Sequence, residues 1–462
     1  MMAPKRLYAT YARLPEGWRR DVLLSWDAHG ILCAVQPGVP CPQGVDVARG
    51  PVLPGMPNVH SHAFQRAMAG LTEYRATAAD SFWSWRELMY RFVSRVGPED
   101  MSHIARWLYI EMLKAGYTSV CEFHYVHHPV DRRARPGGFE MAARVVAAAD
   151  EVGLGMTLLP VLYQFGGFGE QAPSAAQARF LHSPDSLLNS LFALRDQYPE
   201  SSTRRYGVAP HSLRAVSPAS LREVLDGLHA QLPSAPVHLH IAEQQAEVDA
   251  CVAAHGARPV QWLLDHAPVD ERWCLVHATH VNQDERRRMA DSRAVAGLCL
   301  TTEANLGDGL FPAHDYLAHG GRFAIGSDSH VAVDWRAELR LLEYGQRLLH
   351  RQRNVLASAE HPRVADRLFD EAARSGGAVT GRPIGQLAVG QCADLIVLNP
   401  EHLALAGRES DTWLSGVIFG EYGDTPISEV MVAGRTVIEG GRHPQEQAAR
   451  QAFQETVARL LA

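Results

Sequence analysis

Between residues 54 and 382 the chain alternates between short apolar runs and longer stretches in which apolar residues recur every three or four positions. Eight runs stand out, at 52–59, 118–123, 156–162, 206–209, 237–241, 273–277, 295–300 and 322–326. A short continuous apolar run reads as a strand buried on both faces, and the 3.6-residue period between runs reads as helices with one covered side. Strands alternating with helices imply parallel β-α units. Eight of them predict an α/β fold of the closed (β/α)8 TIM-barrel type rather than an open doubly wound sheet.

The two flanks carry another pattern. Residues 21–26 and 31–35 stand on either side of Asp27-Ala28-His29-Gly30, a hairpin signal, and 394–398, 430–432 and 436–439 alternate around glycine-rich turns. Neither flank can bury a core alone. Residues 1–53 and 383–462 are therefore expected to combine into one small β-sandwich domain beside a barrel spanning 54–382, with 445–461 as a closing helix.

Composition narrows the function classes. With 46% hydrophobic and 21% charged residues the 462-residue chain is ordinary globular material. A formal net charge of −7 argues against a nucleic-acid surface, which needs a clustered basic excess. No apolar stretch approaches the ~18 residues of a membrane span, and no signal-peptide pattern opens the chain, so a cytoplasmic location is expected. The seven cysteines, Cys33, Cys41, Cys121, Cys251, Cys274, Cys299 and Cys392, never form a Cys-x-x-Cys pair, which disfavours a disulfide framework or a cysteine zinc site. The basic residues are almost all arginine; the lysines are Lys5 and Lys114.

The chemistry stands where the runs end, the catalytic face of a barrel. The first run leads into His60-Ser61-His62; residues two apart on a strand point the same way, so both imidazoles can reach one metal ion. The fifth contains His238 and His240 and is followed by Glu243. His240, nearer the strand end, is the better ligand, and His238 reads as an interior histidine with a hydrogen-bond partner. The sixth ends in His277, and the eighth leads into Asp328, which can coordinate a metal and also take a proton from water. Together these place three histidines and an aspartate at the tops of three strands, with Glu243 and His277 beside them.

These features resemble the amidohydrolase superfamily over nearly the whole chain, including 385–398 and 432–437 in the C-terminal flank. The motif match implies His60, His62, His240 and Asp328 as the metal ligands. Within the superfamily, the stretches 57–70, 121–128 and 210–216 are similar to the formimidoylglutamate deiminases of histidine breakdown. Some superfamily members bridge two metals with a carbamylated lysine on the fourth strand. Neither lysine lies near 208–211, which favours one divalent ion, and zinc suits three histidines and an aspartate, although iron or manganese could occupy similar ligands. The resemblance implies Asp328 as acceptor of a proton from the attacking water, His277 as its orienting partner and Glu243 as the proton shuttle to the leaving nitrogen. It implies a small dicarboxylate substrate, contacted by Gln65, Arg86, Tyr125, His211 and Arg214, and a homodimer. Two carboxylates call for arginine, whose planar fork binds them bidentately. Arg86, in an aromatic segment at 81–90 read as a helix or lid, also fits a surface residue stacked on tryptophan. The rival readings are an aminohydrolase acting on a purine or pyrimidine, which would need stacking and amide contacts instead of arginine, and a non-catalytic barrel scaffold, which would lack part of the metal set.

Overall fold

The computed structural model describes residues 4–73, 82–130 and 139–462. Its centre is built from parallel strands in the order expected. Met56–Ser61, Tyr117–His124 and Gly155–Leu162 pair in sequence, and Gly155–Leu162 also pairs with Arg204–Tyr206 and Ala209–Pro210. Val237–Ile241, Trp273–His277, Val295–Leu298 and Arg322–Ile325 form a second parallel sheet. Single parallel bridges, Val208 to Val237 and Ser61 to Asp328, link the two sheets at both edges. Helices follow the strands, among them Pro98–Ala115, Glu140–Val152, Pro184–Gln197, Pro218–Gln231, Trp335–His350 and Val364–Thr380.

Local sequence explains the elements. Every residue of Tyr117–His124 is buried, as a strand covered on both faces requires. Trp335–His350 buries Trp335, Glu338, Leu339, Leu342 and Gln346, a stripe at spacings of three and four. Pro98–Ala115 begins with proline in its first turn, and Asp100 accepts the N–H of Gly97; it ends on Gly116, whose φ of +91° only glycine adopts cheaply. A Cβ at Gly116 would lie 2.7 Å from Ile427 Cδ1, so that turn also needs the space.

Three runs differ from their predicted extent by more than one residue at an end. The first divides. Val52–Pro54 pairs antiparallel with Leu395–Leu398 in the outer sheet, whereas Met56–Ser61 opens the parallel set. Gly55 is the joint: its N–H donates to Asp394 O at 2.9 Å, and a Cβ there would lie 2.2 Å from Thr118 Oγ1. The fourth run breaks at Gly207, where a Cβ would fall 2.3 Å from Pro236 O. The seventh stops at Leu298 because Leu300 already starts a helix, Leu300–Leu306.

The flanks share one mixed sheet of eight strands. Its path runs Arg435–Ile438, Ile427–Val432, Leu395–Leu398, Val52–Pro54, Lys5–Leu14, Gly17–Trp26 and Leu32–Gln36, with Asp46–Val47 on Lys5–Leu14. The hairpin forms as expected: Asp27 Oδ1 accepts the N–H groups of His29 and Ile31, and Gly30 takes φ +79°. Leu24, Trp26, Val52 and Leu395 belong to an apolar core of this sheet. Glu446–Leu461 is the closing helix. Among the described residues, no helix is long and apolar enough to cross a membrane.

Candidate metal and active site

Strand geometry brings the chemistry to one end of the parallel sheets. His60 is next to last in Met56–Ser61 and His62 lies one residue beyond it; His240 is next to last in Val237–Ile241; His277 closes Trp273–His277; Asp328 stands three residues past Arg322–Ile325. Ala242, His277, Ala278, Asp328 and His330 all have positive φ, from +47° to +67°, a conformation non-glycine residues rarely hold. Backbone bonds hold them there: Ala278 N–H donates to Ile241 O at 3.0 Å, and Asp328 N–H to His60 O at 3.0 Å. Such concentration of strained backbone is typical of sites that aim side chains.

The ring nitrogens converge. His60 Nε2 lies 3.1 Å from His62 Nε2 and 3.0 Å from His240 Nε2, and Asp328 Oδ1 is 3.5 and 3.4 Å from the first two. Donors at tetrahedral corners around zinc, with bonds of about 2.0–2.1 Å, stand roughly 3.3 Å apart, and these four separations lie close to that. His62 Nδ1 donates to Phe123 O at 2.9 Å and His240 Nδ1 to His211 O at 3.1 Å. With those protons on Nδ1, the lone pairs on Nε2 face one another, an arrangement a cation between them stabilises. Burial, and then the neighbouring imidazoles, hold His60 and His240 far below the usual histidine range, and burial takes His62 to about 3. All three are therefore neutral near pH 7, the form that binds metal. His60, His62 and His240 offer ring nitrogens close enough to share one metal ion, with Asp328 beside the first two.

Beside the ligands, His277 Nε2 faces Glu243 Oε1 at 3.7 Å and Asp328 Oδ2 at 3.8 Å. Its Nδ1 sits 3.3 Å from Glu303 Oε1, and the same oxygen accepts the Cys299 N–H at 2.9 Å. Burial disfavours a charged His277, but Glu243, Glu303 and Asp328 outweigh it and raise the imidazole to about 10. Asp328 rises to about 7, first through burial, with His277 pulling down and Glu243 and Glu303 pushing up. Glu247 accepts the N–H groups of Ala242 and Glu243 at 3.3 and 3.2 Å and so fixes the turn that presents Glu243.

A cavity opens over these groups, and Glu243, His277, His240 and Asp328 form its floor. Arg86, Arg214, Tyr125 and His211 stand in its wall. Arg86 belongs to the helix Phe82–Val93, with its guanidinium 5.6 Å from the Tyr90 ring. Residue 81, the start of the segment read as a helix or lid, lies outside the described residues. Burial, and then Arg214, His62 and Arg86, hold His211 well below the usual histidine range, so it is neutral near pH 7. Burial opposes the charge on Arg214, but Glu247 and Glu243 outweigh it. Gln65 sits behind Tyr125 and donates from Nε2 to the phenol oxygen at 2.9 Å, holding the ring that lines the cavity. His238, read as an interior histidine, donates from Nε2 to Val379 O at 2.8 Å.

Sequence reasoning overlooked Glu303. It lies on the helix Leu300–Leu306, beyond the end of the seventh strand, where a search of strand ends does not reach. The only signal was an acidic residue in the first turn of a helix that starts directly after a strand.

Known proteins resemble this chain over most of its length. The profile of the amidohydrolase family matches residues 52–437. A formimidoylglutamate deiminase of Pseudomonas aeruginosa is 51% identical over 98% of this chain and 99% of its own length. The crystal structure of an amidohydrolase from Brucella melitensis superposes with a TM-score of 0.91 at 44% identity, covering 99% of this chain and 100% of that one. That of a zinc-bound adenosine deaminase from Xanthomonas campestris has a TM-score of 0.81 at 21% identity, covers 99% of both chains, and speaks to the fold alone. With the profile spanning most of its length and such a relative matched end to end, the chain belongs to the amidohydrolase family.

Proposed function

We propose that the chain hydrolyses the formimino C–N bond of N-formimino-L-glutamate, giving N-formyl-L-glutamate and ammonia, with one zinc ion held by His60, His62, His240 and Asp328. One observation carries the reading: Arg86, Arg214, His211 and Tyr125 line the cavity whose floor holds Glu243, His277 and Asp328. A dicarboxylate needs that wall, and an amidine needs that floor. The end-to-end likeness to a formimidoylglutamate deiminase supports the same substrate.

When bound, a divalent ion supplies the Lewis acidity that makes water nucleophilic near neutral pH. Asp328 takes a proton from the attacking water. His277, fixed by Glu303, orients that water through Nε2. Glu243 takes the second proton of that water from the oxygen and delivers it to the terminal nitrogen, which departs as ammonia while the carbon keeps the water oxygen as a carbonyl. Proton transfer of this kind typically contributes about 10²–10⁴ in rate. Arg86 and Arg214 take the two carboxylates, with Tyr125 and His211 as further hydrogen-bond partners and Gln65 holding Tyr125.

The same reading extends to the architecture. The bridges at Val208–Val237 and Ser61–Asp328 support a single closed (β/α)8 barrel over 54–382. The separate apolar core of the outer sheet supports a sandwich-like composite domain from 1–53 and 383–462.

Steady-state assay of ammonia release from N-formimino-L-glutamate, against adenosine, guanine and cytosine, and with and without a chelator, tests the reading. Turnover of the amidine alone, lost on chelation and regained with zinc, is the expected result. Preference for a base, or turnover indifferent to chelation, overturns it.

A further inference from the structure

We propose that Glu243, His277 and Asp308 form a second divalent-cation site adjoining the first, one that zinc fills when the cationic end of a substrate is not in place. Each of the three offers one ligand atom, and these atoms lie within 4.8 Å of one another. All are at least nine-tenths buried, with relative exposures of 5%, 1% and 5%. One nitrogen and two carboxylate oxygens suit a borderline ion such as zinc.

Asp308 is built into this position. It follows the helix Leu300–Leu306 and lies between Gly307 and Gly309, whose φ values of +71° and +130° turn the chain back toward the strand ends. Its N–H donates to Glu303 O at 2.9 Å, its carbonyl oxygen accepts from His280 Nε2 at 2.9 Å, and Gln244 Nε2 donates to Oδ1. Oδ2, although buried, has no hydrogen-bond partner among the described residues. A buried carboxylate oxygen without a donor is what a missing cation leaves behind.

Charge points the same way. The carboxylates of Glu243 and Asp328 face His277 Nε2 at 3.7 and 3.8 Å, and Glu303 meets its Nδ1 at 3.3 Å. His277 Nδ1 is engaged with Glu303, which leaves Nε2 on the side of Glu243. Glu243 and His277 also line the substrate cavity, so an ion reaches the site by the substrate's route. A protonated amidine would satisfy the same carboxylates. Cation and substrate therefore exclude each other, a consequence that rests on the proposed function, whereas binding of the ion does not.

The test begins with protein stripped by chelator, dialysed against rising zinc chloride and analysed for zinc per chain. Wild-type protein is expected to take up one ion at low zinc and a second at higher zinc, and Asp308→Asn to lose the second with at least a tenfold weaker affinity. Uptake that ends at one ion in the wild type overturns the proposal, whatever the variant does. So does a second ion that Asp308→Asn binds as tightly. In the turnover assay, excess zinc is expected to inhibit competitively with N-formimino-L-glutamate, and non-competitive inhibition contradicts the shared site. A chain inactive on that substrate would refute the proposed function while leaving the zinc stoichiometry to decide this proposal.

Discussion

Glu303→Gln isolates the carboxylate behind His277 without changing the shape of the side chain. Glu303 Oε1 meets His277 Nδ1 at 3.3 Å, both groups being 1% exposed. His277 is held at about 10 against burial by Glu243, Glu303 and Asp328. Keeping an imidazole that far above its ordinary 6.5 corresponds to roughly 5 kcal/mol. Glu303 contributes both a hydrogen bond and its charge to this, so its loss is expected to lower kcat on the order of tenfold, about 1.4 kcal/mol. Glu303 touches neither His60, His62, His240 nor Asp328 and does not line the cavity, so KM and the zinc bound at that first site are expected to stay within twofold of wild type. The assay is coupled ammonia release, with zinc measured on the same samples. A kcat within twofold of wild type would refute the argument that Glu303 positions His277. Loss of zinc together with activity would refute it differently, by showing that the carboxylate acts on the metal site.

Three further outcomes follow from the structure. His240→Ala removes one of the converging nitrogens and is expected to lower zinc affinity at least a hundredfold and abolish turnover, measured by competition with a chromogenic chelator. Arg214→Lys and Arg86→Lys keep the charge but lose the planar fork; each is expected to raise KM about tenfold to a hundredfold, the cost of a charged hydrogen bond of ~1.5–3 kcal/mol, with zinc content unchanged. Asp394→Ala breaks a fully buried pair with Arg382, Nη1 to Oδ2 at 3.0 Å, and removes the acceptor of the Ala433 N–H. It is expected to cost about 3–5 kcal/mol in denaturant unfolding, and a change under 1 kcal/mol would show that the pair is dispensable.

The parts of this site that the sequence discloses are those that local backbone geometry determines. His60 and His62 are two apart on a strand, so their common direction follows from the pleat alone, and a strand end is visible wherever an apolar run stops. His240, His277 and Asp328 are found by the same rule. The rule weakens where one apolar run serves two sheets: nothing in 52–59 marks Gly55 as the joint until Thr118 and Asp394 are seen against it. It fails for Glu303 and Asp308, which stand on a helix and a loop past the seventh strand and reach His277 only because that segment folds back over the sixth. Gln65 raises a different question. Family resemblance brings it to the substrate, yet its amide reaches Tyr125 and the phenol ring occupies the cavity wall. A contact through one intervening side chain and a direct one leave the same trace in a sequence. They part in kinetics: Gln65→Leu, which frees the phenol but leaves the ring, should weaken binding by less than Tyr125→Leu, which removes the wall itself. If Gln65→Leu raised KM as much as Tyr125→Leu, the amide would have to reach the substrate directly, and the tyrosine would be a bystander to its effect.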